Sequence, residues 1–374
     1  MSSGKTTNIV IVGAGIIGIS IAYKLSHRKN TSITVLDSEI PGCGATAHSF
    51  AWVNAFGKDP RNYHTLNRRS LDMWYRLSEQ LDGDIGMHLG GELRWENTQR
   101  GAKVLKDRVC QLQAWGYLCR IISKEELLTF EPELTPGHVL ACSYAEADFH
   151  IETDKFISVC LNKAIENGVS IQSNTPVIDF SHNKGRVNSV ITSKSEYPCD
   201  IVILSAGVNT THLAAIVDVH IPQQCSPGIV ISTTKSKKVL HHAAVIHAPS
   251  KNEKHQHIHL RQLADGTLRI GQGTQEGINT DDSQEHADTL LENTKRFLPS
   301  IGDVSAITNP VGYRPMPIDG YPIIGFTESI SNLYITFMHS GVTLAPLVSE
   351  MATIEIMDGV SVDWFTPYRH SRFC

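Results

Sequence analysis

Residues 8–37 read NIVIVGAGIIGISIAYKLSHRKNTSITVLD, and this stretch decides the fold. The apolar run Ile9-Val10-Ile11-Val12 predicts a strand buried on both faces, as in a parallel sheet. Gly13-x-Gly15-x-x-Gly18 follows, then a helix pattern over 16–25, then a second strand over 33–36 that ends in Asp37. Strand, glycine turn, helix, strand and acid in this order form the dinucleotide fingerprint in the context it requires. Gly13 suits the tight turn, Gly15 lets backbone approach a pyrophosphate, and Gly18 lets helix and strand pack closely. The helix N-terminus at Ile16 and Ile17 offers N–H groups and a positive dipole end to the phosphates. Asp37 accepts hydrogen bonds from a ribose diol, and its charge argues against a 2′-phosphate.

A chain of 374 residues is too long for one ordinary core, so two domains are expected. A content of 41% hydrophobic and 19% charged residues describes a globular protein. With a net charge of −5 and no long basic stretch, neither nucleic acid nor an anionic membrane surface is an expected partner. The uncharged run 8–23, which holds the fingerprint, is too short to cross a bilayer, and no membrane span is expected. With a first strand expected to begin by Ile9, no signal peptide is expected. Eight cysteines without a C-x-x-C pair read as reduced thiols, and a cytoplasmic location is the expectation.

Beyond Asp37 and Ser38, a loop of small residues runs through Gly44, Ala45, Thr46, Ala47, His48 and Ser49. It suits close passage beside a ligand; a plain glycine-rich connection is the alternative. Helices are expected over 62–81, with Leu66, Ser70, Trp74, Leu77 and Leu81 on one stripe, and over 100–115. Ser123-x-x-Glu126 is a capping box for a short helix closed by Pro132. A helix over 153–167 precedes strands over 169–172, 177–180 and 186–192, the last two joined by a hairpin at Asn183-Lys184-Gly185. Residues 200–205 predict a further parallel strand ending at Ala206-Gly207. Antiparallel strands are expected over 226–271, a helix over 283–298, strands over 304–314 and 333–337, and a final helix over 342–357. The architecture is α/β, a Rossmann-like parallel unit interrupted twice by mixed α+β insertions. The dinucleotide domain is assigned to 1–84, 145–215 and 305–374, and the substrate domain to 85–144 and 216–304.

Six pieces together resemble the FAD-dependent amine oxidoreductases of the D-amino-acid oxidase, glycine oxidase and sarcosine oxidase group. These are the fingerprint, the loop GCGATAHS, DIVILSAG, HIHLRQLADGTLRIG, GYRPMPIDGYPIIG and FMHSGVTLAP, in the family's order along the whole chain. The resemblance implies a discontinuous FAD domain with a substrate domain of glycine-oxidase type. It implies oxidation of an amine beside a carboxylate: hydride passes from the α-carbon to flavin N5, and the imine is hydrolysed. The substrate would be an amino or imino acid, and oxygen or another electron acceptor would reoxidise the flavin. It further implies flavin contacts at the loop 44–49, at the Val177 backbone, at Ala206 and Gly207, at Gly312 and Arg314, and at the segment His339-Ser340-Gly341-Val342-Thr343. His48 aligns with a histidine that carries the flavin covalently in dimethylglycine-dehydrogenase-like relatives. Ala47 and Ser49-Phe50 depart from that pattern, so free, tightly held FAD is expected.

Three residue readings keep alternatives open. Arg314 matches the arginine that holds the substrate carboxylate, and a planar guanidinium suits that task; pairing with an acid such as Asp319 is the alternative. His339 to Thr343 either face the flavin pyrimidine edge or form an ordinary helix start capped by Ser340. In the alternating tract 255–261, His255, His257, His259 and Arg261 share one face. That face is a polar pocket roof, with His259 and Arg261 near the substrate, or a solvated surface. No carboxylate or cysteine pattern supports a metal there, and none is expected. Trp52, Phe56, Tyr313 and Phe337 are candidate walls or plain core. Two rival functions remain: a flavin monooxygenase of related fold, which lacks support because Gly325 is followed by Phe326-Thr327 where that class has Gly-Asp, and a non-catalytic FAD-binding subunit.

Overall fold

The computed structural model describes residues 6–250, 257–273 and 280–374. Its first sheet has six strands in the order Ile323–Phe326, Leu333–Phe337, Ile201–Leu204, Thr7–Val12, Thr31–Leu36 and Ser170–Gln172. All neighbours are parallel except the edge strand Ile323–Phe326. Ile9 and Ile11 pack with the helices Ile16–Leu25, Thr153–Glu166 and Gly341–Asp358, while Val10 and Val12 pack on the opposite side. Both faces are therefore covered, which is why the strand reads as a continuous apolar run. Gly13 lies at φ +105°, and a Cβ there would stand 2.3 Å from the Ser205 carbonyl oxygen. A Cβ on Gly18 would stand 1.9 Å from the Gly13 carbonyl oxygen, so only glycine lets this helix pack so closely.

The second sheet has eight strands, ordered Ala306–Ile307, Val230–Thr233, Leu268–Gln272, His257–Gln262, Val245–Pro249, Glu92–Glu96, Ala141–Ala145 and Cys119–Ile122. One face buries Leu93, Trp95, Ile246, Ile258, Leu260 and Ile270 against the helix Gln284–Lys295. By alternation, the other face presents Glu92, Arg94, Glu96, His247, His257, His259 and Arg261. His255 lies outside the described residues.

Several sequence expectations change. Within 226–271 the strands are antiparallel to one another, but Val245–Pro249 also pairs in parallel with Glu92–Glu96. The strand expected over 304–314 is two short pieces, Ala306–Ile307 and Gly312–Tyr313, in different sheets. Pro310 lacks the N–H a continuous ladder needs, and Asn309 Nδ2 instead donates to the Val230 carbonyl at 2.6 Å. The strands Cys119–Ile122 and Ala141–Ala145 had no sequence signal. Every residue of Ala141–Ala145 is buried, so no alternation exists to read.

The helix Arg61–Leu81 anchors the start of the C-terminal helix. Ser70 Oγ donates to the Thr343 carbonyl at 2.6 Å, and the Trp74 indole donates to the carbonyls of Val342 and Thr343 at 3.2 Å. The stripe that makes Arg61–Leu81 amphipathic thus also fixes one wall of the site.

Candidate active site

A cavity of about 850 Å³ lies between the two sheets, large for a small-molecule site. From the parallel sheet come Gly13, Gly15, Ile16, Ile17, Asp37 and Ser38. The small-residue loop contributes Gly44, Ala45, Thr46, His48 and Ser49; Ala47 points away and is exposed. Val177, Ala206 and Gly207 line it as well, as do Gly312 and Arg314. The segment His339, Ser340, Gly341, Val342 and Thr343 closes one side. Sequence-distant candidates therefore meet in one place. Gly18 does not reach the cavity; it serves helix packing.

The glycine turn is held open by its neighbours. Asp37 Oδ2 accepts from Ala14 N at 2.7 Å and Oδ1 from Glu39 N at 2.9 Å. Burial raises the Asp37 pKa, and these two backbone bonds oppose the rise. Thr46 Oγ1 accepts from Ile16 N at 3.0 Å, and Gly42 N donates to the Ala14 carbonyl, so the loop folds over the turn. Gly15, the N-cap of Ile16–Leu25, supplies no side-chain cap, and a Cβ there would meet only Thr46 Oγ1, at 3.4 Å. The room beside it belongs to the cavity. A Cβ on Gly312 would stand 2.5 Å from His48 Cβ, so this glycine lets the His48 loop pass.

The second helix end is also uncapped. Ser340 precedes Gly341–Asp358 in a left-handed conformation, φ 62°, and makes no cap bond. Its hydroxyl is taken by Lys58 Nζ at 2.7 Å and Tyr63 OH at 3.1 Å, and it stands 3.0 Å from His339 Nδ1. Ordinary capping by Ser340 is thereby replaced. Lys58 is 5% exposed, and burial lowers its pKa to about 8, against an opposing pull from Asp148. His339 is held neutral by burial, then by the charges of Lys58 and Arg314.

Arg314 lies over Gly228, where a Cβ would meet its guanidinium at 2.2 Å. Nη1 donates to the Pro227 carbonyl. No carboxylate among the described residues pairs with it; Asp319 instead takes Arg372 at 2.8 Å. Burial alone lowers the Arg314 pKa.

The eight-stranded sheet supplies the facing wall. Arg94, His247, His259 and Gly271 occupy one transverse row in register. The His259 ring lies over Gly271, whose Cβ would be 2.1 Å from Nε2. Phe50 meets His259 edge-on at 4.6 Å, and Trp52 packs against His247 at 4.6 Å. Burial, then Arg314 and Arg94, push His259 down to about 3. Burial followed by the Arg94 charge keeps His247 neutral as well. Arg261 does not line the cavity; it is 2% exposed and donates to the Ile151 carbonyl at 2.9 Å. Of the four aromatic candidates, Trp52 and Tyr313 line the cavity, whereas Phe56 and Phe337 are core.

Sequence reasoning missed Lys58, Arg94, His247 and the pair Glu92–Asp148. Glu92 and Asp148 are each 1% exposed. Burial, then the Glu92 charge, raises the Asp148 pKa well above the usual carboxylate range, and the carboxyl accepts from Trp52 Nε1 at 3.2 Å and from the Tyr117 hydroxyl. A usable signal existed for Arg94: ELRWE alternates, which sets Glu92, Arg94 and Glu96 opposite Leu93 and Trp95. Lys58 is the first Lys, Arg, Asp or Glu after the stretch 40–57, yet nothing local marks it as buried. Among the described residues, no three His, Cys, Asp or Glu side chains converge as a metal site, and no helix is long and apolar enough to cross a membrane.

Comparison with known proteins agrees with this geometry. The family model described as "DAO: FAD dependent oxidoreductase" matches residues 8–353. An opine oxidase subunit of Rhizobium meliloti is 24% identical, with 98% of this chain and 97% of that protein covered. The crystal structure of glycine oxidase from Geobacillus kaustophilus superposes with a TM-score of 0.86 at 20% identity, covering 98% of this chain and 99% of that one. That of L-proline dehydrogenase from P. horikoshii gives 0.84 at 22% identity, covering 99% of each chain.

Proposed function

The chain belongs to the DAO family of FAD dependent oxidoreductases, and from that premise we propose that it oxidises the C–N bond of an amino or imino acid, with FAD held non-covalently. The residues present suit that cofactor. Two helix starts whose cap residues, Gly15 and Ser340, supply no side-chain cap open into one cavity, and each brings its positive dipole end to negative charge. Gly15 and Ile17 would hold the pyrophosphate, beside Ile16 whose N–H is given to Thr46, Asp37 the ribose, and the Val177 backbone the adenine. Gly341 to Thr343, with Lys58 behind Ser340, would place positive potential at the flavin's pyrimidine edge. FAD, when bound, supplies the hydride acceptor.

The chain's own residues then bind and orient. Arg314 holds the substrate carboxylate with its free N–H groups, a charge-assisted fork that fixes the α-carbon. His247, His259 and His339 remain neutral and so keep their charge from competing for the carboxylate. Loss of solvent disfavours the protonated form of all three, which makes them poor proton acceptors, so the amine enters neutral or loses its proton to water. The imine product is hydrolysed in solution, and oxygen or another acceptor takes up the electrons.

The observation that carries this reading is Arg314: a half-buried guanidinium without an acid partner among the described residues, facing the cavity that both helix starts enter. The test is an anaerobic titration of the flavin-loaded protein with D-amino acids, N-methyl amino acids and cyclic imino acids. Bleaching of the visible flavin band by one of these supports the reading. If no amine bleaches it, the reading is wrong and a non-catalytic FAD-binding role takes its place.

A further inference from the structure

Arg94 is a second guanidinium at the substrate side of the same cavity. Its Nε donates to Glu92 Oε1 at 2.7 Å, and its Cζ stands 4.9 Å from the Phe56 ring centroid. Those two contacts fix the side chain from one edge and one face. Neither terminal nitrogen bonds any described group, and the side chain keeps 20% exposure. Glu92 is itself buried beside Asp148, and it takes Arg94 by Nε, which leaves the two terminal nitrogens as an open fork. An arginine presented this way is preorganised for a planar anion.

The row Arg94, His247, His259 sets the distance scale. Adjacent strands lie about 4.8 Å apart, so the Arg94 and His259 backbones are separated by about 10 Å. Arg314 approaches from the far side, over Gly228, in the strand that leads into Val230–Thr233. Two guanidiniums thus bracket two neutral imidazoles. Both guanidiniums line one cavity, an arrangement that favours a molecule with an anion at each end.

The charges agree. Arg94 is paired with Glu92, while Arg314 has no acid partner among the described residues. A first carboxylate neutralises Arg314. A second at Arg94 would join an existing ion pair, so it adds less affinity than the first.

We propose that Arg94 is a specificity residue that receives a second carboxylate, so that the substrate is a dicarboxylic amino or imino acid spanning Arg94 and Arg314. This rests on Arg314 holding the first carboxylate, as proposed above. The second carboxylate has two chemical sources, a substituent on the amine nitrogen or the amino-acid side chain.

The experiment separates binding from oxidation. Glutarate and butyrate lack an amine and cannot be oxidised; their binding to the FAD-loaded protein is measured by titration calorimetry. Glutarate should bind about tenfold or more tightly than butyrate. Arg94→Gln should remove that preference by weakening glutarate, whereas Arg314→Leu should weaken both acids. Arg94→Lys, which keeps the charge without the fork, should retain part of the preference. Equal binding of the two acids by the parent protein overturns the proposal, even if every Arg94 variant fails to fold. So does an Arg94→Gln protein that loses both acids equally.

Flavin bleaching then locates the second group. Iminodiacetate in preference to sarcosine places it on nitrogen; aspartate or glutamate in preference to alanine places it on the side chain. Efficient bleaching by sarcosine, alanine or proline with no gain from a second carboxylate overturns the proposal. If glutarate binds through Arg94 but no amine bleaches the flavin, the anion site stands and the oxidation reading falls.

Discussion

Replacing Arg314 with leucine should separate substrate recognition from stability. The guanidinium gives one N–H to the Pro227 carbonyl and meets no carboxylate among the described residues. Its loss strands no buried charge, and burial already disfavours its charged form. Stability therefore changes by about 1 kcal/mol or less, the worth of one hydrogen bond. A substrate carboxylate held by a partly buried fork is worth about 2–5 kcal/mol. The lower bound alone is a loss of about 30-fold in kcat/KM. Arg314→Leu should thus keep the parent's FAD content and Tm while KM rises by at least that factor, and Arg314→Lys should fall between, keeping charge without geometry. Arg369→Leu makes the opposite control. Glu355 is 4% exposed and receives both terminal nitrogens of Arg369, so removing the arginine leaves a buried carboxylate short of its cation. That variant should lose about 3–5 kcal/mol of stability. The assays are steady-state kinetics with the amine found by the anaerobic screen, flavin absorbance after desalting, and thermal melts. Unchanged kinetics in Arg314→Leu, or flavin lost in step with activity, would refute the assignment.

Asp37→Ala should weaken FAD retention, because a charge-assisted bond to the ribose is worth about 1.5–3 kcal/mol and the Ala14 and Glu39 amides lose their acceptor too; full flavin after extensive dialysis would contradict this. The buried His150 and His247 and the half-buried His259 and His339 all have pKa values lowered, first by desolvation, from 6.5. The unfolded chain therefore binds more protons than the folded one as pH falls below 6.5. Stability is full above that pH and is lost on acidification, by up to about 1.4 kcal/mol per pH unit for each group. Denaturant midpoints should drop steeply between neutral pH and pH ~5; a flat profile would show that these rings are solvated. His48 lines the cavity, yet the flavin is expected to be free. Acid precipitation should release intact FAD to the supernatant, and yellow colour retained in the pellet but lost in His48→Ala would show a covalent bond.

The sequence by itself determined the parallel half of the molecule. A strand covered on both faces must be apolar at every position, and a helix packed so that a Cβ would stand 1.9 Å from a carbonyl oxygen must carry glycine, so residues 8–37 state their structure locally. It also determined the two faces of His257–Gln262, because alternation is a property of a single strand. What tertiary structure decided is which polar faces meet. Arg94 and His247 belong to strands far apart in the chain, and only their parallel register places them beside His259. Lys58 becomes a buried cation only because the C-terminal helix brings Ser340 to it, 282 residues away. Burial, pKa and the lack of an acid partner at Arg314 among the described residues are likewise properties of the assembled cavity. A residue's chemistry can be named from the chain, but its charge state and its partner are set by the solvent and neighbours that folding removes or supplies.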